Sequence, residues 1–264
     1  MKNIITLLTD FGQQDIFSSV LKGVILTINP NAYVLDVTHE ISSFDINEAA
    51  LKTYWNYRYY PEGTIHVIVV DPGVGSQRAP IIVEFNKSYF ICPDNGVLSY
   101  VLNRMQCGKD FQTYKIENEK MMLSDISRTF HGRDIFCPAA AHLSKGEKLE
   151  NFGPKLNSIT INEIKTYRLI NNHIEGEVIY IDKFGNCVTN IPNEALFDRH
   201  IDHIQIKNHK IDKIINYYKE GTSGKPNAIK GSFGNMEIVL KEGNASSFLN
   251  IFRDEKIKIV LAGN

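Results

Sequence analysis

Two textures of apolar residues divide the chain. In the first part, continuous β-branched runs alternate with stretches whose apolar residues return at helical spacing. Residues 4–8 and 33–39 read as strands, and residues 65–70, broken only by His66, read as a strand covered on both faces. Between them, residues 17–28 place Val20, Val24 and Ile28 on one helical face and stop at Asn29-Pro30. Residues 46–60 predict a second helix, 97–104 and 135–143 two more, and 81–85 with 88–92 a hairpin turning at Asn86-Lys87. Strands separated by helices imply right-handed crossovers, so the expected fold here is α/β with a mainly parallel central sheet. From His173 the pattern becomes alternation: Ile174, Gly176, Val178 and Tyr180 share one face. Short strands follow at 187–191, within 201–218, at 236–240 and at 257–261, as in a small antiparallel barrel or sandwich. Residues 149–167 lack a period and hold Gly153-Pro154, which sets the expected domains at 1–160 and 170–264.

The predicted strands of the first domain end in acids. Asp10 follows the first strand, Asp36 lies near the end of the second, and Asp71 follows the third, where open α/β sheets bind ligands. The loop Asp71-Pro72-Gly73-Val74-Gly75 cannot continue a ladder, and Arg78 is close enough along it to fold back on Asp71. With His39, His131, Arg133 and Asp134, these residues would form an acid, arginine and histidine site at one sheet edge. Each also has a local reading. Asp71 and Asp94-Asn95-Gly96 suit turns, Asp10 and Asp134 suit helix caps or ion pairs, and Phe184-Gly185-Asn186 suits a hairpin bend.

Composition removes several classes of function. Lys plus Arg total 29 against 30 Asp plus Glu among 264 residues, so no field of one sign gathers nucleic acid or anionic lipid. The apolar run after Met1 is too short for a signal peptide or a membrane span. Cys92, Cys107, Cys137 and Cys187 stand far apart with no C-x-x-C pair, as expected of reduced thiols in a cytoplasm. Phosphate-loop, dinucleotide, nucleophile-elbow and zinc-protease motifs are missing from the sequence.

Several short motifs occur in order: Thr9-Asp10-Phe11-Gly12, Asp36-Val37-Thr38-His39, Val70-Asp71-Pro72-Gly73-Val74-Gly75, Pro93-Asp94-Asn95-Gly96 and Phe130-His131-Gly132-Arg133-Asp134. Asp182-Lys183-Phe184-Gly185-Asn186, Gly231-Ser232-Phe233-Gly234 and Gly243-Asn244-Ala245 complete the series. Together they resemble the S-adenosylmethionine (SAM) hydroxide adenosyltransferases, or SAM hydrolases, relatives of the SAM-dependent fluorinase and chlorinase. The resemblance implies an α/β domain followed by a β-barrel domain. It further implies a homotrimer whose SAM site lies between one subunit's N-terminal domain and its neighbour's C-terminal domain. On this chain Asp71, Arg78 and His131 would be the catalytic triad and Asp10 would hold the ribose hydroxyls. Asn186 would address adenine, Ser232 and Asp182 the methionine end, and Glu237 and the backbone near Leu240 the adenosine.

The expected reaction is hydrolysis of SAM to adenosine and methionine. Asp71 and His131 would relay a proton from water while Arg78 favours hydroxide, with no metal or cofactor. A negative Asp71 beside the nucleophile would repel halide, and the fluorinase insertion has no obvious counterpart. Phe233 stands where the halogenating relatives carry an arginine. Two rival readings remain open at this stage. One is a metal-dependent hydrolase using Asp10, Asp36, His39, Asp71 and His131 as ligands; the other is a SAM- or adenosine-binding module without turnover.

Overall fold

The computed structural model describes residues 3–103 and 111–262. It divides into two units, Met1–Ile164 and Lys165–Asn264. The first contains β1 (Ile4–Thr9), α1 (Phe17–Ile28), β2 (Tyr33–Thr38), α2 (Ile46–Asn56), β3 (Ile65–Val69), β4 (Pro80–Phe85) and β5 (Ser88–Pro93). After these come α3 (Ser99–Asn103), β6 (Gln112–Lys115), α4 (Cys137–Ser144) and β7 (Lys155–Leu156). The seven strands form one sheet in the order β2-β1-β3-β5-β4-β6-β7. Strands β2, β1, β3 and β5 are mutually parallel, and the β4, β6 and β7 side is antiparallel. The parallel expectation therefore holds for the half of the sheet that carries the strand-end acids.

Burial on both faces explains why β1 and β3 are central. Every residue of both strands is buried. Ile5, Leu7, Val67 and Val69 pack with Leu21 and Ile25 of α1 and the alanines of α4 on one face. Leu8 and Ile68 meet Ala49 of α2 and Val101 of α3 on the other. A buried side chain of this size contributes about 1.5–3 kcal/mol, so the pair anchors the unit. The register sets Thr9 opposite Val69, and Asp10 and the Val70-Asp71 dipeptide leave the sheet side by side.

Helix α2 is capped by Asp45, whose side chain accepts from the Glu48 amide at 2.9 Å, while Glu48 accepts from the Ser42 amide. It ends at Asn56 and tightens into a 3₁₀ turn over Tyr57–Tyr59, short of the residue-60 limit expected from spacing. Asn86 and Lys87 both take positive φ, as a two-residue hairpin turn requires. The helix expected over 97–104 is observed as Ser99–Asn103; Arg104 and Cys107 lie outside the described residues.

The second unit holds β8 (Arg168–Ile170), β9 (His173–Ile181), β10 (Cys187–Pro192), β11 (Ile201–Ile206), β12 (His209–Ile211) and β13 (Ile214–Ile215). It continues with β14 (Pro226–Lys230), β15 (Asn235–Leu240), α5 (Ala245–Leu249) and β16 (Lys256–Leu261). The sheet path β12-β11-β16-β9-β10-β15-β14-β13, with β8 beside β9, is antiparallel except for β13 and β14. Its ladder runs open from β12 to β13, a curled half-barrel around Ile174, Val178, Ile191, Ile204, Ile238 and Ile259. Strand β14 had no clear alternation in sequence, because Pro226 and Asn227 open it.

His66 is the one imidazole set into the middle of a described strand of the first unit. Its Nδ1 lies 2.8 Å from Thr6 Oγ1, and its ring stacks on Phe90 at 5.2 Å between the edges of Tyr57 and Tyr60. Burial lowers its pKa to about 4. The unfolded chain protonates this ring from pH 6.5 downward and the folded chain does not, so stability is lost as pH falls from 6.5 to about 4. The expected loss is about 3 kcal/mol. Urea unfolding at stepped pH checks it: His66→Phe is expected to flatten that limb, and an unchanged limb would assign the acid sensitivity elsewhere.

Candidate active site

Asp71 leaves the carboxyl end of β3 with only 5% of its side chain exposed, and Arg78 folds back over it at 9%. Arg78 Nε lies 3.0 Å from both Asp71 oxygens and Nη2 is 2.5 Å from Oδ2. The same Nη2 lies 2.6 Å from His131 Nδ1. Phe136 closes one side, its ring centroid 5.3 Å from the guanidinium carbon. The loop that returns Arg78 depends on Gly75, which has φ +76° and approaches the Arg128 carbonyl so closely that a Cβ would come within 2.4 Å of the oxygen. Asn95 steadies the start of the loop by donating to the Val70 carbonyl at 3.0 Å.

A guanidinium can only donate hydrogen bonds, which fixes the state of His131. Nδ1 must carry the lone pair that accepts from Arg78, so the neutral ring bears its hydrogen on Nε2. Burial and the Arg78 charge lower the His131 pKa against the opposing pull of Asp71, Asp134 and the Ser127 carbonyl. The ring is therefore neutral at pH 7. His131 precedes a π turn, Gly132–Phe136, that leads into α4, and a Cβ on Gly132 would press on Val69, Leu21 and Phe11. The closely packed glycine seats His131 against the end of β3.

A cavity of about 280 Å³ opens beside the triad, and Asp10, Asp71 and His131 line it together. Asp10 Oδ2 accepts from the Phe44 amide at 2.8 Å. Phe11, Phe17, Phe44 and Phe130 form the apolar wall, with Phe17 and Phe130 edge to face at 5.5 Å. Phe11 and Phe130 lie within the motifs read from sequence, but nothing there marked the four rings as one wall, since each comes from a different loop or helix end.

The other expected members are engaged elsewhere. Asp36 binds Lys22 at 2.5 Å and His39 Nε2 at 3.0 Å, behind the Asp10 loop. Asp134 is fully buried and bound to Arg133 and Ser127, fixing the chain ahead of His131. Asp94 accepts from the Thr160 amide. The five residues of the metal-ligand reading are thus split between two places, and among the described residues no group of three or more His, Cys, Asp or Glu is assembled to hold a metal.

In the second unit Asp182 Oδ1 accepts from the amides of Phe184 and Asn186, and Oδ2 from the Asn186 side chain, all at 2.8 Å. The buried Glu237 lies across from Val188 and Ile229 on β15, and its carboxylate sits against Gly231. Ser232 is exposed in the following turn, and Leu240 ends the strand.

Residues 5–153 match the model of the SAM hydroxide adenosyltransferase N-terminal domain, and residues 176–258 match that of the C-terminal domain. A protein of Methanocaldococcus jannaschii named (R)-S-adenosyl-L-methionine hydrolase is 34% identical over 98% of this chain and 96% of its own. A fluorinase of an Actinoplanes species is 25% identical over 71% of both chains. The crystal structure of an uncharacterized conserved protein from Thermotoga maritima superposes with a TM-score of 0.90 at 34% identity, over 97% of this chain and 99% of the other. The fold is thus that of a SAM-directed adenosyl-transfer protein. The chain belongs to the SAM hydroxide adenosyltransferase family.

Glu237 offers a test of the second cluster. Burial, with the Asp182 charge, raises its carboxyl to about 7. The folded chain keeps this proton after the unfolded chain has lost it near 4.5, so stability falls as pH rises from 4.5 to about 7. Glu237→Gln is expected to raise the melting temperature at pH 8 by a few degrees and to leave it unchanged at pH 4. Equal effects at both pH values in a thermal scan would count against a buried ionisation.

Proposed function

We propose that the chain hydrolyses S-adenosyl-L-methionine to adenosine and L-methionine through attack of an oriented water at C5′. The buried Asp71–Arg78–His131 assembly opening on the Asp10 pocket carries this reading, together with membership of the family. At C5′ the substrate bears a sulfonium, so the C5′–S bonding electrons pass to sulfur, methionine departs as a neutral thioether and no general acid is needed. The new bond joins the water oxygen to C5′, and one water proton must be taken up. No metal or cofactor is called for by that chemistry.

The hydrogen-bond inventory supports a division of labour within the triad. Arg78 occupies the only lone pair of the neutral His131 ring, leaving Asp71 as the available proton acceptor. His131 then acts by holding the guanidinium, and through it Asp71, in one orientation. Asp10 presents a carboxylate to the ribose hydroxyls. Asn186, Asp182, Ser232, Glu237 and the backbone at Leu240 would bind adenine and the methionine end from a neighbouring subunit of a homotrimer, as the family resemblance implies. We place it in the cytoplasm, where the buried free thiols of Cys92, Cys137 and Cys187 stay reduced.

Chromatography of SAM incubated with the purified protein is expected to show adenosine and methionine, with heavy-oxygen water labelling the 5′ oxygen, and with activity surviving dialysis against EDTA. Unlabelled adenosine would rule out attack at C5′. His131→Ala is expected to retain SAM binding and lose about 10²–10⁴-fold in turnover. His131→Asn keeps an acceptor for Arg78 and is expected to recover much of that loss; an Asn variant as slow as Ala would restore His131 as the base. Because a protonated ring cannot accept from Arg78, kcat/KM is expected to fall on the acid side with a midpoint below pH 6.5.

A further inference from the structure

His39 is a fully buried imidazole that no step of the proposed reaction uses. Its Nδ1 lies 2.8 Å from Thr9 Oγ1 and its Nε2 lies 3.0 Å from Asp36 Oδ1. Asp36 is in turn held by Lys22 of α1. The main chain doubles this link: the His39 carbonyl accepts from the Gly12 amide at 2.7 Å, and the Thr9 carbonyl accepts from the Ile41 amide at 3.3 Å. Thr9 Oγ1 also accepts from the Phe11 amide at 3.2 Å. The residues on both sides of Asp10 are therefore tied, directly or through one hydroxyl, to His39.

Donor and acceptor roles can be assigned along this chain, with the Nε2–Asp36 link an ion-pair contact by distance rather than a well-directed hydrogen bond. The Asp36 carboxylate only accepts, so the ring hydrogen belongs on Nε2. In the neutral ring Nδ1 is then an acceptor and takes the Thr9 hydroxyl hydrogen. A Thr9 lone pair remains for the Phe11 N–H. A β-bulge lies at the same place: Leu7 pairs with Asp36 and Leu8 with Thr38, leaving Val37 as the extra residue. Bulges of this kind re-aim a strand end. Here the bulge falls between Asp36 and His39, the two residues that must turn toward one another. A histidine serving only to fill the core would need neither the carboxylate partner nor the hydroxyl that reaches the Asp10 loop.

We propose that His39, backed by Asp36 and acting through Thr9, is a positioning residue that sets the direction of the Asp10 carboxylate in the nucleoside pocket. The inference rests on the reading that Asp10 receives the ribose hydroxyls. It makes ribose selectivity a property of a network that never touches the ligand. A displaced but intact Asp10 loses the alignment of its charge-assisted bonds to two hydroxyls, while contacts to the base are unaffected.

Calorimetric titration of the full-length protein with adenosine and with 2′-deoxyadenosine tests this. Asp10→Ala is expected to abolish the preference for adenosine, which checks the underlying reading. His39→Ala and Asp36→Asn are expected to reduce that preference by about tenfold while changing 2′-deoxyadenosine affinity by less than about threefold. His39→Gln, whose amide can donate to Asp36, is expected to recover part of it. Asp36 is one-third exposed, so Asp36→Asn reports even where His39→Ala fails to fold. If Asp10→Ala removes the preference and the His39 and Asp36 variants weaken both ligands equally, the positioning role is overturned and the Asp10 reading stands. If Asp10→Ala leaves the preference intact, both fall.

Discussion

A guanidinium buried between a carboxylate and an imidazole constrains everything around it. Arg78 has donors and no lone pair, so each partner it touches must accept. Asp71 does so with both oxygens, and His131 does so with the one ring nitrogen that is left unprotonated. The bonds fix where the loop after β3 must end and how the turn before α4 must enter. Removing either acceptor would leave a buried donor unpaired, at a cost of about 1–3 kcal/mol or more because the group is charged. Site geometry and local stability are therefore one requirement.

That requirement explains the layout of the first sheet. A buried ion pair at a strand end needs an apolar frame that does not give, and β1 and β3 supply it with helices over both faces. Their shared register delivers Asp10 and Asp71 to the same edge. The antiparallel half of the sheet lies on the far side of β5 and adds breadth without contributing a residue to the cavity.

The elements were readable wherever the apolar period was unbroken. Helix α1 starts and ends as its spacing indicates, and Asn86-Lys87 turns the hairpin as expected. Reading failed where local sequence does not decide. Strands β6 and β7 are short, and Gln112 and Lys155 gain strand geometry from neighbours rather than from propensity. The π turn at Gly132–Phe136 is a packing solution that no helical period encodes. In the site, the link of Asp71 to Arg78 followed from loop length and chemistry, and family resemblance singled out His131 from the wider set of acids and histidines at the sheet edge. The separation of Asp36 and His39 from the cavity could not be seen, because a strand-end acid reads alike whether it faces ligand or neighbour. The four phenylalanines of the wall were equally hard to pick out, being apolar residues in loops or, for Phe17, at a helix start.

Hydrogen-bonding capacity separates these two kinds of polar residue better than position does. Asp134 and Asn95 are buried or half-buried and have their principal donors and acceptors matched by protein groups, and the His39 ring is held at Nδ1 by Thr9 and at Nε2 by an ion-pair contact with Asp36. They hold loops in place. Asp71 Oδ1 receives a single bond, from Arg78, and Asp71 lines the cavity. Glu237 makes no side-chain hydrogen bond among the described residues, and burial keeps its proton on to about pH 7. A buried carboxyl without a partner lowers stability. In the proposed reaction the substrate would complete the free valences of Asp71 and Glu237, and the stability that Glu237 costs above pH 7 would be recovered on binding.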